Sequence, residues 1–265
     1  MNRLELKFQS LSAAGRKALV GYLTAGDPDF DASLAILDAA CEAGVDVLEL
    51  GVPFSDPTSD GPIIEAASGR ALRTGMSLRR VLELAGRLRA KRDTPLVLFS
   101  YYNPLLRFGL ERLGAALVQA GIDGLLVVDL PPEEAGELTA ALAGCDLPLI
   151  RLIAPTTHPE RMRRIVAGAG GFLYMITRTG VTGGGTLDRD AVARHAAELK
   201  GLSRLPVCLG FGISTAADVR NLAPLADGVV VGSALVKLAA ERAAHGDAPA
   251  QVAARVRELR HALEA

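Results

Sequence analysis

Residues 46–62 read DVLELGVPFSDPTSDGP, an apolar run with one carboxylate near its far end, Glu49, that breaks into a Gly/Pro/Ser/Asp segment holding Asp56 and Asp60. A short run of β-favouring residues bounded by Gly and Pro reads as a buried strand. An ionised carboxylate on such a strand is costly unless it is paired or left reactive at an open end, so Glu49 needs a reason. Similar runs recur on both sides: 18–26 (ALVGYLTAG), 95–102 (PLVLFSYY), 123–130 (DGLLVVDL), 147–155 (LPLIRLIAP), 171–177 (GFLYMIT), 205–212 (LPVCLGFG) and 227–233 (DGVVVGS). Ala/Leu/Arg/Glu-rich stretches of helical character separate them. Near-continuous apolar strands alternating with helices predict a parallel sheet covered on both faces.

About eight such units in 265 residues predict an α/β fold, a (β/α)8 TIM barrel spanning 1–265 as a single domain. An extra N-terminal helix ends at Gly15, and the segment 247–265 is a further helix expected on the outside. A doubly wound open sheet is the alternative, disfavoured by the regular spacing and by the lack of GxGxxG after the first strand. Three segments, AGVDVLELG, AGIDGLLVVD and LADGVVVGS, echo one another with a small-residue turn, an Asp and an apolar strand.

A net charge of -1 leaves no electrostatic footprint for nucleic acid or an anionic membrane. No window approaches the roughly 18 apolar residues of a membrane span, and the first fifteen residues lack a signal-peptide core, so the expectation is a cytoplasmic protein. Cys41, Cys145 and Cys208 are far apart without CxxC spacing, which predicts buried free thiols.

In a barrel of this kind the chemistry sits where the strands end. Tyr22, Tyr101, Tyr102 and Tyr174 fall at predicted strand ends, joined by Phe54, Phe99 and Phe211, and together suggest an apolar slot for a flat ring. Three glycine-rich loops follow the last three strands: Thr182-Gly183-Gly184-Gly185, Gly210-Phe211-Gly212 and Gly232-Ser233. Glycine lets backbone N–H groups approach an anion, and a helix starting at Ser233 adds its dipole, which points to a phosphate monoester. Glu49 beside an aromatic slot would have its pKa raised by desolvation and suit acid/base work. Asp60 is read as functional too, whereas Asp56 and Asp129 are expected to accept backbone N–H bonds at turns. The lysines lie away from strand ends, which leaves a Schiff base without its nucleophile, and the four histidines fall on helical segments without metal-ligand spacing.

These residues lie in motifs, GYLTAGDP, LELGVPFSDPTSDGP, YYNPLLRFG, DLPPEEA, LIAPTT, GVTGG, GFGIS and DGVVVGSA, by which the chain resembles the tryptophan synthase alpha subunit family over nearly its full length. The resemblance implies retro-aldol cleavage of indole-3-glycerol phosphate to indole and glyceraldehyde 3-phosphate, without a metal or a cofactor in this chain. It assigns Glu49 as the acid/base and Asp60 as the partner of the indole N–H. It places Tyr22, Phe99, Tyr101, Leu126, Val128, Tyr174 and Phe211 around the indole. Thr182 falls in a loop expected to close over the site and orient Asp60, while Gly183, Gly212, Gly232 and Ser233 would hold the phosphate. The implied partner is a beta subunit carrying pyridoxal phosphate, in an alpha2-beta2 heterotetramer, touched by the segments 53–60 and 103–108. A stand-alone lyase, a regulatory barrel and a phosphosugar isomerase remain as alternatives.

Overall fold

In the computed structural model, which describes residues 2–177 and 188–264, eight parallel strands close into a barrel in sequence order. The strands are β1 (Ala18–Thr24), β2 (Val47–Gly51), β3 (Leu96–Ser100), β4 (Gly124–Val127), β5 (Leu149–Ile153), β6 (Leu173–Ile176), β7 (Val207–Gly210) and β8 (Gly228–Val231). Each falls inside one of the apolar runs of the sequence, trimmed by a residue or more where Gly, Pro or Asp ends the pairing.

Helix α1 (Arg3–Ala13) precedes the barrel, and α2 (Phe30–Glu42) links the first two strands. Both α3 (Pro62–Arg73) and α4 (Leu78–Arg89) stand between β2 and β3. The β3–β4 connection likewise holds two helices, α5 (Tyr102–Phe108) and α6 (Leu110–Gln119). Single helices α7 (Gly136–Ala141), α8 (Pro159–Ala167), α9 (Arg189–Leu202) and α10 (Ala216–Leu222) serve the next four connections, and α11 (Ser233–Ala243) and α12 (Ala248–Glu264) complete the chain. The described residues thus hold twelve α-helices rather than about eight, because two connections are doubled and the ends add more.

Alternation along each strand divides the core in two. Val20, Val47, Val97, Leu126, Ile150, Cys208 and Val230 fill the barrel interior. Their neighbours one residue along, such as Leu19, Leu48, Leu98 and Leu125, pack outward against the helices. Helix α1 closes the amino-terminal end of the barrel with Leu4, Phe8 and Leu11, where the Phe8 ring meets the fully buried Phe172 at 5.5 Å. Burying side chains of this size contributes about 1.5–3 kcal/mol each.

The three echoing segments have one structural meaning. Asp46, Asp123 and Asp227 each stand just before a strand, and each exchanges a pair of hydrogen bonds with the strand before it. The backbone N–H groups of these aspartates donate to the carbonyls of Leu19, Leu96 and Val207. Their carboxylates accept the N–H of the same three residues, at 2.9 Å in each case. A cation then neutralises each carboxylate from outside: Arg260 on α12 for Asp46, Arg89 with Arg3 for Asp123, and Lys200 for Asp227. These clamps fix the register of three strand pairs at the amino-terminal face, and they explain why α12 packs on the barrel. Arg260 reaches past Asp46 to the Lys17 carbonyl at 2.7 Å.

No helix among the described residues is long and apolar enough to cross a membrane. Cys41 and Cys208 are buried free thiols as expected, whereas Cys145 is only partly buried because it follows the short α7 near the surface. His195 and His261 sit on helices, but His158 caps the start of α8 and His245 lies just beyond α11.

Candidate active site

Glu49 occupies the third position of β2, opposite Tyr22 of β1 and Val97 of β3, and points into the barrel. Its side chain is 1% exposed and, among the described residues, neither carboxylate oxygen has a hydrogen-bond partner. Burial pushes its pKa up to about 8. A buried polar group without a partner is a liability in a core and an opportunity in a site, because it is free to bind something that arrives.

The walls around it are aromatic. Tyr22 and Phe99 meet edge to face at 5.0 Å, reaching from β1 and β3 across β2. Gly51 makes that crossing possible, since a Cβ there would lie 2.2 Å from the Tyr22 hydroxyl. On the other side Tyr174 of β6 leans over Gly210 of β7, where a Cβ would lie 2.3 Å from its hydroxyl. Burial and the neighbouring Glu49 hold both phenols well above their usual pKa, so they serve as neutral walls. With Phe211 these rings border a cavity that Glu49 and Asp60 also line.

Asp60 reaches the cavity from the loop between β2 and α3. Helix α3 begins at Pro62, and its Arg70 grips Asp27 after β1 with two bonds of 2.7 and 2.8 Å, which fixes the helix against the barrel. The Tyr101 hydroxyl accepts the Ser59 N–H at 2.9 Å and hydrogen-bonds the Asp60 carboxylate. Desolvation raises the Asp60 pKa to about 6 and the Tyr101 bond holds it back. Tyr101, whose ring packs on Phe54 at 5.2 Å, therefore braces the loop that carries Asp60.

The glycine-rich turns after β7 and β8 converge on the same cavity, with Gly212, Gly232 and Ser233 in its lining. Ser233 is the first residue of α11, and no side chain caps that helix start, so its amides are open to an anion. Phe211 has φ +80°, the sole non-glycine residue of positive φ among the described residues. The Thr177 hydroxyl holds this turn by donating to the carbonyls of Gly210 at 3.0 Å and Phe211 at 2.7 Å. Strain of this kind persists only where the surroundings over-determine it.

Val128 lines an adjoining, larger cavity that shares Asp60, Phe99, Tyr174 and Phe211 with the first. Leu126 lies deeper, in the barrel interior beneath the ring slot. Thr182 and Gly183 lie outside the described residues, as do Gly184 and Gly185. Asp129 accepts the Tyr102 N–H at 2.7 Å, the backbone role expected of it. Asp56 instead accepts from the Ser55 hydroxyl at 2.6 Å. Tyr102, read as a strand-end ring, opens α5 and stays at the cavity's outside.

Sequence reasoning missed Ile64, Ile213 and Val230, which complete the apolar lining, and Thr177, which sets the Phe211 turn. Val230 was findable from the alternation of β8, while Ile64 depends on the pose of α3 and carries no local signal. No lysine among the described residues lines either cavity. Among the described residues no cluster of three or more His, Cys, Asp or Glu could hold a metal ion.

A family model described as tryptophan synthase alpha chain matches residues 8–265. The tryptophan synthase alpha chain of Desulfosudis oleivorans is 50% identical over 264 residues, covering 100% of both chains. Among solved structures, tryptophan synthase subunit alpha from Legionella pneumophila superposes with a TM-score of 0.91 at 35% identity, over 100% of this chain and 99% of that one. A Mycobacterium tuberculosis tryptophan synthase structure gives 0.90 at 36% identity, over 100% and 99%.

Proposed function

This chain belongs to the tryptophan synthase alpha chain family and catalyses its lyase reaction, cleavage of indole-3-glycerol phosphate in tryptophan biosynthesis; from that premise we propose how its own residues carry the reaction. Glu49 protonates C3 of the indole and, as a carboxylate, takes the proton from the hydroxyl on the adjacent side-chain carbon. The C–C bond then breaks, its electron pair returns to the ring, and indole and glyceraldehyde 3-phosphate result. Asp60 accepts the indole N–H and offsets the positive charge that develops on the ring.

The observation that carries this reading is the separation of the two carboxylates in one cavity. Glu49 near pKa 8 is largely protonated at neutral pH, ready to act first as an acid. Asp60 near 6 is largely ionised, ready to face a positive ring. Two titratable groups whose environments push their pKa values apart mark an acid and a charge stabiliser. Tyr22, Phe99, Tyr174 and Phe211 hold the ring, with Val128 and Leu126 at its far side and Tyr101 behind Asp60. Gly212, Gly232 and Ser233 bind the phosphate, with Gly183; Thr182 orients Asp60 when its loop closes.

The reaction needs no cofactor from this chain, and pyridoxal phosphate belongs to the beta subunit of the family. We infer a beta partner in an alpha2-beta2 heterotetramer, docking at the catalytic face through 53–60 and 103–108. Leu106 on α5 is 45% exposed there, an apolar side chain suited to a partner. Cytoplasmic placement and a single domain over 1–265 complete the reading. The test is indole release from indole-3-glycerol phosphate by the purified chain, with and without a beta subunit. Slow release alone and a large rise with the partner are expected; no release in either case would remove the catalytic assignment.

A further inference from the structure

Glu49, Asp60 and the phosphate donors account for the barrel mouth and leave one buried charge without a task. Arg151 lies on β5 between the inward-facing Ile150 and Leu152, so its side chain leaves the outer face of the strand, towards the turn after β4. It is 6% exposed. One terminal nitrogen donates to the Leu130 carbonyl at a long 3.3 Å, and its Nε is buried with no partner among the described residues. Among the described residues no carboxylate pairs with it. Glu133, whose charge it feels, is held in two bonds of 2.6 and 3.1 Å by Arg161. Asp129 is engaged with the Tyr102 N–H. A guanidinium taken out of water without a counter-ion is strongly unfavourable, and the remedy is an anion that arrives. Arg151 borders the larger cavity, which shares its Asp60, Phe99 and Tyr174 walls with the site at the barrel mouth.

We propose that this cavity is an oxyanion site in which Arg151 is the binding cation, taking a carboxylate small enough to enter from the barrel mouth. The planar guanidinium matches a carboxylate with two parallel bonds. The site stands at β4 and β5, while the phosphate donors stand at β7 and β8, so occupancy of one leaves the other intact.

Acetate titrated into the full chain tests this, followed by the NMR shift of the Arg151 Nε–H and by thermal unfolding. A saturable shift is expected in the wild type. At ten times its dissociation constant, an anion that binds only the folded chain moves the folding equilibrium about elevenfold. That corresponds to a rise in Tm of about 3–6 °C. Both responses persist in Gly232→Val and vanish in Arg151→Met, while Arg151→Lys keeps a weaker one because it retains the charge and loses the fork. An Nε–H resonance that does not move, an equal gain in Tm for the wild type and Arg151→Met, or loss of the response in Gly232→Val overturns the proposal. Should Arg151→Met fail to fold, the wild-type titration compared with Arg151→Lys decides alone.

Discussion

Glu49→Gln keeps the shape of the side chain and removes its ionisation, which makes the burial of Glu49 measurable as stability. The folded chain holds the Glu49 proton with a pKa of about 8, against 4.5 when the group is free in water. The folded state therefore binds the proton more tightly than the unfolded state between those values. The stabilisation is fully present below pH 4.5 and is lost as the pH rises through 8. Linkage gives a slope of about 1.4 kcal/mol per pH unit across that window, so at pH 7 the wild type has lost about 3 kcal/mol from this group. The Gln variant should show none of that loss, only an offset independent of pH from its buried amide. Urea unfolding of both proteins from pH 5 to 9 isolates the effect, since other titrating groups cancel in the difference. The variant should gain on the wild type up to about pH 8 and then hold level. Parallel curves would refute the argument, because they would mean that Glu49 ionises as easily inside the barrel as outside. The same variant should retain phosphate-ligand binding and lose turnover.

Asp60→Asn should lower kcat by about 10²–10³-fold and spare the fold, as expected for one preorganised stabiliser of developing charge; steady-state kinetics with circular dichroism separates the two. In the wild type kcat/KM should be bell-shaped in pH, falling below about 6 as Asp60 is protonated and above about 8 as Glu49 ionises. A profile with only one limb would remove one of the two assignments. Gly210→Ala brings a Cβ to 2.3 Å from the Tyr174 hydroxyl, so the ring must swing into its own slot. Displacement of about 1 Å near the chemistry costs about 10²-fold in kcat/KM, and unchanged kinetics would show that the ring can yield outward. Arg260→Met leaves Asp46 a buried carboxylate without its cation and should cost about 3–5 kcal/mol in unfolding experiments, with the affinity for phosphate ligands unchanged.

The strands were legible because burial on both faces forces long apolar runs, and every one of the eight runs contains its strand. The doubling of helices after β2 and β3 was not, because a helix that ends at Thr74 or Gly109 and restarts leaves the same composition as one that continues. Within the site, Glu49 stood out as a charge where burial allows none. Tyr22, Phe99 and Tyr174 were visible as rings, but their packing over Gly51 and Gly210 depends on side chains from different strands, which no single stretch encodes. Tyr101 was grouped with the ring slot and proves to brace Asp60 from behind, since its partner, the Ser59 amide, lies 42 residues away in the chain.

The echo among the three Asp-bearing segments carries the larger lesson. In packing terms it resembles any βα unit, yet the aspartates perform one task, and the task divides the barrel. At the amino-terminal end every carboxylate of the echo is answered twice, by a backbone amide and by a cation. At the carboxyl end no described residue answers Glu49. The same residue chemistry, an acid beside a buried strand, thus stabilises at one face and is held reactive at the other, and what distinguishes the two is the supply of partners. Asp46 and Glu49 lie three residues apart in the stretch that organises the chain, one a clamp and the other the proposed proton donor. The clamp pins β2 against β1, and that register sets Glu49 opposite Tyr22. Loosening Asp46 would therefore reach Glu49, the proposed catalytic acid, through the strand itself, without touching the cavity.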